Sequence, residues 1–110
     1  MDLQVYLQRA DACLKAVTTW LEDFDPDELD FTTGDGLVTL EFADGTRYVL
    51  NRQSGNHQMW FAAGARAWHY VWDDATAAWV DERDRHLLYA RLGEVVATKL
   101  GRTVAAPGAA

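Results

Sequence analysis

The chain has 110 residues, of which 49% are hydrophobic and five are tryptophan, and its formal net charge is −7; this is enough apolar material for the core of one ordinary domain. The acidic balance argues against a nucleic-acid partner, whose phosphates attract cations, and no apolar run approaches the roughly 20 residues that a membrane span needs. Cys13 is the only cysteine, which excludes an internal disulfide and every multi-cysteine zinc or iron–sulfur ligand set. The start of the chain has no signal-peptide pattern, so we expect a cytoplasmic protein.

An amphipathic helix is predicted at the start of the chain. Seven apolar residues recur at alternating steps of four and three, which is the spacing of one helical face; they are Leu3, Leu7, Ala10, Leu14, Val17, Leu21 and Phe24. Pro26 disfavours helical geometry at Asp25, so the helix should end around residues 23–25. Cys13 falls beside this stripe and is expected to act as a small buried hydrophobe.

Acidic side chains crowd the junction that follows this helix. Six carboxylates occupy nine consecutive positions with no lysine or arginine among them; they are Glu22, Asp23, Asp25, Asp27, Glu28 and Asp30. The C-terminal end of a helix already carries partial negative charge, and acids there cost about 0.3–1 kcal/mol each. Because a broken local rule often marks function, we expect these carboxylates to stay solvated, unpaired with the chain's own cations and available to a metal ion or a basic surface. The alternative is an acidic face that only maintains solubility.

From residue 27 the apolar period changes to two, which is typical of successive β-hairpins. Turn segments separate predicted strands at residues 28–33, 37–42, 47–53, 58–63, 67–72 and 78–81. A second amphipathic helix follows, with Asp84 as its expected N-cap and its end near Gly101. The tail, residues 102–110, lacks period and bulk and is expected to be disordered. The predicted fold class is α+β, a single domain over residues 1–101 with two helices packed on one face of a roughly six-stranded antiparallel sheet.

The other face of this sheet is open, and strand parity identifies its side chains. A four-residue loop at 54–57 places Asn51 opposite Trp60. The next pair along the same strands is then Gln53 with Gln58, and a four-residue loop at 64–67 puts His69 diagonal to Trp60. An exposed tryptophan beside convergent amides is typical of recognition surfaces, although a cross-strand stabiliser fits the parity equally well. The inward set is Val38, Leu40, Phe42, Met59 and Phe61.

The segment GLVTLEFADGTRYVLNRQSGNHQMWFAA, residues 36–63, resembles the central signature of the frataxin family, in which an NRQ or NKQ strand leads through a short loop to a QxW strand. The acidic first helix, the WHY strand, the Trp79 strand and the last helix follow in family order. The resemblance therefore covers residues 1 to about 101 and is closest to bacterial members. It implies the frataxin-like α-β-α sandwich and a monomer, with metal-driven oligomers left open.

The resemblance also implies a non-enzymatic role in iron–sulfur cluster assembly. The protein would bind ferrous or ferric iron weakly, hold no tightly bound organic cofactor, and dock on the cysteine desulfurase and its scaffold protein as a regulator or iron carrier. Carried over by position, the metal-binding acidic ridge is Asp11, Glu22, Asp23, Asp25, Asp27, Glu28 and Asp30. The partner-binding face is Asn51, Gln53, Gln58 and Trp60.

Two positions depart from the family pattern. Bacterial members often have a pair of glutamates where this chain has Thr18 and Thr19, which implies a reduced capacity for metal there. Their loop before the QxW strand often carries a proline, whereas this one has Ser54 and Gly55 and should be more mobile. Arg52 is expected to point toward the helices, where its partner would be an acid.

Two alternative functions stay open. An iron oxidase or iron store would need bridging carboxylates in a protected di-iron centre. A surface haem-binding module would seat a planar ligand near Trp60 and His57, and His57 is the candidate haem or metal ligand.

Overall fold

Two helices and six strands form the domain, and the computed structural model describes residues 1–108. The elements are α1 Leu3–Leu21, β1 Leu29–Gly34, β2 Leu37–Phe42, β3 Arg47–Gln53, β4 Gln58–Ala63, β5 Arg66–Asp73, β6 Ala78–Asp81 and α2 Leu88–Leu100. Each strand pairs antiparallel with its neighbour in the chain, so the sheet order is β1-β2-β3-β4-β5-β6. The predicted α+β class is confirmed, and every predicted strand agrees with an observed one to within one residue at each end.

Helix α1 begins and ends for identifiable local reasons. The carboxylate of Asp2 caps it by accepting the backbone N–H of Val5 at 2.9 Å. The helix ends at Leu21, slightly before the predicted 23–25, because the N–H groups of Asp23 and Phe24 bond to carbonyls only three residues back. Its apolar stripe lies on the sheet, and Cys13 is buried as predicted. Neither helix among residues 1–108 combines the length and the hydropathy needed to cross a bilayer.

Helix α2 starts later than the sequence predicts. Asp84 is not its N-cap; the residue before the first turn is Leu87, whose backbone is extended. Leu87 still pairs with Val80 of β6, and the Asp81 N–H donates to the His86 carbonyl oxygen, so the chain cannot turn into a helix before residue 88. The predicted end is confirmed, with Gly101 in the left-handed conformation at φ 70°.

The register of the sheet confirms one predicted hairpin and corrects another. Asn51 lies opposite Trp60, and Gln53 lies opposite Gln58, as predicted. The β4–β5 turn, however, spans only Gly64 and Ala65, because Ala63 pairs with Arg66. The predicted four-residue loop is therefore wrong, and His69 lies directly across from Trp60 rather than on the diagonal. The whole predicted inward set is buried: Val38, Leu40, Phe42, Met59 and Phe61.

The C-terminal segment differs from the expected disorder. Residues 102–108 form no helix or strand, but they lie along the two helices. The indole Nε1 of Trp20 donates to the Ala105 carbonyl oxygen at 2.7 Å, and Pro107 is buried. A side chain at Gly93 of α2 would meet the Cα of Ala106 at 3.1 Å, so glycine permits this close approach. Ala109 and Ala110, the rest of the predicted disordered tail, lie outside the described residues.

Candidate functional site

The acidic ridge follows the end of α1 and continues to β1. Asp25 organises the turn, since its carboxylate accepts the Asp27 N–H at 2.9 Å and its carbonyl oxygen accepts the N–H groups of Glu28 and Leu29. Pro26 inside this turn prevents further helix. Five of the seven predicted ridge acids form no ion pair with a cation within residues 1–108, and all five are exposed: Glu22, Asp23, Asp25, Asp27 and Asp30.

Asp11 is the first correction to the predicted ridge: it forms an ion pair with one of the chain's own cations and is not freely available to a metal ion. Its carboxylate lies 2.7 Å from Arg52, whose guanidinium also contacts Asp35 at 2.9 Å. Asp11 is three helical turns, or about 16 Å of rise, before Glu22, so it shares a helix face with Glu22 without adjoining the other acids. The ion pair between Asp11 and Arg52 joins α1 to β3. It explains why Arg52 points toward the helices, as the sequence predicts.

Gly36 explains how Arg52 reaches both acids. Gly36 has φ of +70° in the β1–β2 turn, and a Cβ there would lie 2.9 Å from the Arg52 side chain. The guanidinium thus crosses directly over the glycine. Partial burial by itself would lower the pKa of Arg52, but the hydrogen bonds to Asp35 and Asp11 raise it, so the guanidinium stays charged.

Glu28 is the second correction. It forms an ion pair with Arg102 of the C-terminal segment, and the same guanidinium lies 5.8 Å from the centre of the Phe24 ring. Sequence reasoning treated the tail as disordered and so left this cation out of the ridge. The unpaired part of the ridge is therefore narrower than predicted, and we call the five exposed and unpaired acids the free ridge.

The free ridge has no convergent ligand set. In the described part of the chain, the one group of three side chains whose ligand atoms lie within 4.8 Å of one another is Asp81, Asp84 and His86, far along the sequence from the ridge. Iron at the free ridge would therefore be held by one or two carboxylates and water, which is an arrangement of low affinity and low selectivity.

The Asp81, Asp84 and His86 group is already committed to internal hydrogen bonds. Arg91 Nε donates to His86 Nε2 at 3.3 Å, and Tyr70 Oη lies 2.7 Å from the same atom. Nε2 therefore accepts, the proton is on Nδ1, and Nδ1 donates to Asp84 at 2.5 Å. Hydrogen bonds from the His86 backbone and ring hold the pKa of Asp84 below its usual value. A metal ion would have to displace this network.

Trp60 forms the centre of the open sheet face. Its indole stacks on the imidazole of His69 with ring centroids 4.3 Å apart and an interplanar angle of 13°. Its Nε1 donates to Gln58 Oε1 at 2.8 Å. The indole is thus held in place by a stacked ring on β5 and a hydrogen-bonded amide on its own strand. This makes it a preorganised platform, because little side-chain freedom remains to be lost on contact with another molecule.

Two amides of the predicted partner face, those of Gln58 and Asn51, are oriented by hydrogen bonds. With its oxygen on Trp60, Gln58 directs its amide nitrogen toward Glu82 at 3.4 Å, and Glu82 also lies 3.7 Å from His69. Asn51 uses its amide nitrogen to donate to the Arg52 carbonyl oxygen at 3.1 Å. Glu82 was missed by sequence reasoning, because it follows β6 and only the sheet register brings it beside β4.

His57 does not share a surface with Trp60. It follows the 3₁₀ turn Ser54–Asn56, adopts the left-handed conformation at φ 53°, and stacks on Tyr6 of α1 with ring centroids 4.8 Å apart. Tyr6 lies on the helix side of the sheet, and its hydroxyl donates to the Gln58 carbonyl oxygen at 2.8 Å. The residues proposed for a haem surface, His57 and Trp60, therefore face different partners on opposite sides of the sheet.

Known proteins are similar to this chain over nearly its whole length. The family model for the frataxin-like domain matches residues 1–102. The chain belongs to the frataxin family. The iron–sulfur cluster assembly protein CyaY of Paraburkholderia phymatum is 34% identical over 99 residues, which cover 90% of this chain and 91% of that protein. CyaY of Thioalkalivibrio sulfidiphilus is 32% identical over 96 residues, which cover 86% and 90%.

Solved frataxin structures share the fold. The frataxin of Psychromonas ingrahamii superposes with a TM-score of 0.84 at 26% identity, over 94% of this chain and 96% of that one. The trimeric frataxin of the yeast Saccharomyces cerevisiae, in a complex described as ferrous, gives a TM-score of 0.73 at 28% identity over 86% and 87%. The two-helix, six-strand arrangement predicted from the sequence is thus that of the family.

Proposed function

We propose that this frataxin is a non-enzymatic, cytoplasmic component of iron–sulfur cluster assembly that carries weakly bound iron on its free ridge and docks on the cysteine desulfurase and its scaffold protein. Two relatives are named iron–sulfur cluster assembly proteins. The observation that carries the proposal is the free ridge itself: five exposed carboxylates within nine residues that form no ion pair with a cation among residues 1–108. Net repulsion there is relieved when a cation or a basic surface arrives.

The iron is cargo on this proposal, bound as ferrous or ferric ion. Carboxylate oxygens suit both oxidation states and need no preformed cage. Asp11 and Glu28 would bind iron more weakly than the acids of the free ridge. Iron would have to compete with Arg52 for the oxygens of Asp11 and with Arg102 for those of Glu28. The protein would be a monomer when metal is absent.

Docking would use two surfaces of different chemistry. The free ridge attracts a basic surface over distances of about 10 Å at ordinary salt, which steers the encounter. The Trp60 platform, with Asn51, Gln53 and Gln58 around it, supplies an aromatic contact and hydrogen-bonding amides. Salt screens the attraction of the free ridge but not the contact with the Trp60 platform. The affinity for the desulfurase should therefore fall as salt is added and then level off.

Heteronuclear NMR with matched variants tests the proposal. Ferrous or calcium ions should shift the amide signals of residues 22–30 before any others, and desulfurase at low salt should shift both the free ridge and the Trp60 platform. The double variant Asp23→Asn/Asp27→Asn should weaken both titrations. Asp74→Asn/Glu94→Gln removes the same charge from acids outside the ridge and should not. An unchanged spectrum on adding desulfurase at low salt would refute docking.

The iron-oxidase alternative is tested separately. A di-iron oxidase needs carboxylates that bridge two metals inside a protected site, whereas the free ridge is exposed. Ferrous oxidation followed by absorbance should therefore proceed at the same rate with and without the protein. An acceleration that the Asp23→Asn/Asp27→Asn variant loses would replace the carrier proposal with an oxidase.

A further inference from the structure

An apolar cavity of about 310 Å³ lies between the middle of α1, the β5–β6 hairpin and the start of α2. Its lining includes Arg9, Ala12, Cys13, Trp72, Trp79 and Leu88. Both helices contribute to it, so it lies on the helix side of the sheet, away from the Trp60 platform. A volume near 300 Å³ is at the lower end of natural small-molecule sites.

Small residues keep this space open. Ala12 on α1 and Ala77 and Ala78 on the hairpin line the cavity where larger side chains would fill it. Ala77 lies in the β5–β6 turn and has a φ of +52°. This left-handed backbone conformation is unfavourable for a residue with a Cβ. Leu87 lines the same cavity and remains 46% exposed. Small and apolar residues therefore make up most of the cavity walls, and Arg9 is the exception.

Arg9 and Trp79 bring polar atoms to the lining of this mainly apolar site. Arg9 holds its guanidinium 4.6 Å from the centre of the Trp72 ring, and its acidic partner is Asp74, at 3.3 Å with a side chain that is 88% exposed. Such an exposed pair is easily exchanged. Trp79 is only 5% exposed, and its indole Nε1 has no hydrogen-bond partner among the described residues.

We propose that this cavity binds a small amphipathic monocarboxylate, with its apolar body against Trp72, Trp79 and Leu88 and its carboxylate on Arg9 in place of Asp74. The charge at the mouth selects an anion, because Arg9 is the one charged residue among those that line the cavity. The lining excludes a polyanion, since it offers no second cation. The cavity would bind its ligand without iron and without the desulfurase. A negative result for this ligand therefore leaves the proposed function untouched.

Hexanoate is the probe, and 1-hexanol is its neutral match. Millimolar hexanoate should shift the indole ¹⁵N–¹H signals of Trp79 and Trp72 saturably and leave that of Trp60 unchanged. Ala12→Leu fills the cavity from an exposed helical position and should weaken binding about tenfold or more. Ala90→Leu, an exposed alanine of α2 outside the lining, should have no effect. Ala12→Met supplies a second filling variant.

Arg9→Gln tests the carboxylate contact. It should reduce the preference for hexanoate over hexanol by up to about fivefold, the range of an exposed ion pair, whereas Arg47→Gln on β3 should not. Equal shifts with acetate would show that only the charged group is bound and would overturn the proposal. Retention of hexanoate binding in both Ala12 variants would also overturn the proposal. So would shifts of the Trp79 signal that depend on protein concentration in the absence of ligand, because they would identify a second copy of the chain as the occupant.

Discussion

Trp60 of β4 and His69 of β5 are directly opposite each other, and their rings stack with centroids 4.3 Å apart. This contact fixes the orientation of the indole on the open sheet face. Replacing His69 with alanine removes the stack and should lower the free energy of unfolding by about 0.5–1 kcal/mol, as expected for a cross-strand aromatic pair. Urea denaturation measures the change. His69→Phe should restore the stability, and a His69→Ala/Trp60→Ala cycle with no coupling energy would contradict the account.

The same pair should matter for docking. In His69→Ala the indole regains rotational freedom, so desulfurase affinity should fall even when the domain remains fully folded. His69→Phe separates the two roles, since it keeps the platform and removes the imidazole. Calorimetric titration of the three proteins at high salt, where the contribution of the free ridge is screened, isolates this contribution.

The acids at the end of α1 should reduce stability. Glu22 and Asp23 lie at the negative end of the helix dipole without a cationic partner among residues 1–108. Glu22→Gln and Asp23→Asn should therefore each raise the free energy of unfolding by about 0.3–1 kcal/mol at low salt. The gain should shrink in high salt. Asp2→Ala, at the other end of the same helix, should instead cost about 1 kcal/mol because it removes the N-cap.

Arg52 should act as a structural residue rather than as a contact for a partner. Its guanidinium joins Asp11 of α1 to Asp35 of the β1–β2 turn while its side chain is only 21% exposed. Arg52→Gln should lower the free energy of unfolding by about 1–2 kcal/mol, because two paired carboxylates lose their cation. Arg47→Gln, whose side chain is 69% exposed, serves as the control and should change little. Equal thermal midpoints for the two variants would contradict this role.

The sequence was informative wherever a regular period controlled the structure. The stripe on α1, the strand positions and the inward set all follow from burial of every third or fourth residue, or of every second one. Asp84 does not cap α2, because residues 86 and 87 are still hydrogen-bonded to or bridged with β6. The local preference of aspartate for the N-cap position does not outweigh this pairing. The β4–β5 turn was misjudged because Gly64-Ala65 closes a two-residue turn, which the composition of the loop did not distinguish from a longer one.

The free ridge shows a different limit of sequence reasoning. Which acids lie near the helix end is a local question, and the sequence answered it. Whether each acid meets a cation is a tertiary question: Asp11 meets Arg52 from 41 residues away, and Glu28 meets Arg102 from 74 residues away. For Arg52, strand parity predicts the orientation toward the helix side, and an acid partner is only one option that the sequence offers, with no acid singled out.

Cys13 should make the protein less stable in alkaline solution. Burial raises the pKa of its thiol to about 12. Above about pH 8.5 the unfolded chain loses this proton and the folded chain keeps it, so ionisation favours unfolding. The free energy of unfolding should fall by about 1.4 kcal/mol between neutral pH and pH 9.5. Cys13→Ala should have a lower stability at neutral pH and only the smaller fall that comes from Tyr6, Tyr70 and Tyr89, whose pKa values burial also raises. A matching fall in Cys13→Ala would contradict the assignment.

The C-terminal segment and Gly93 should be energetically coupled. A chain that ends at Thr103 loses the hydrogen bond from Trp20 to Ala105 and the burial of Pro107, and it should be less stable by about 1–3 kcal/mol. Gly93→Ala in that shortened chain should recover about 0.5–1 kcal/mol, because alanine is the better helix former and nothing opposes its methyl group. In the full chain the same methyl group meets Ala106 at 3.1 Å, so the gain should vanish or reverse. Thermal unfolding of the four proteins gives the coupling energy; identical effects of Gly93→Ala in both chain lengths would show that the segment does not lie on α2.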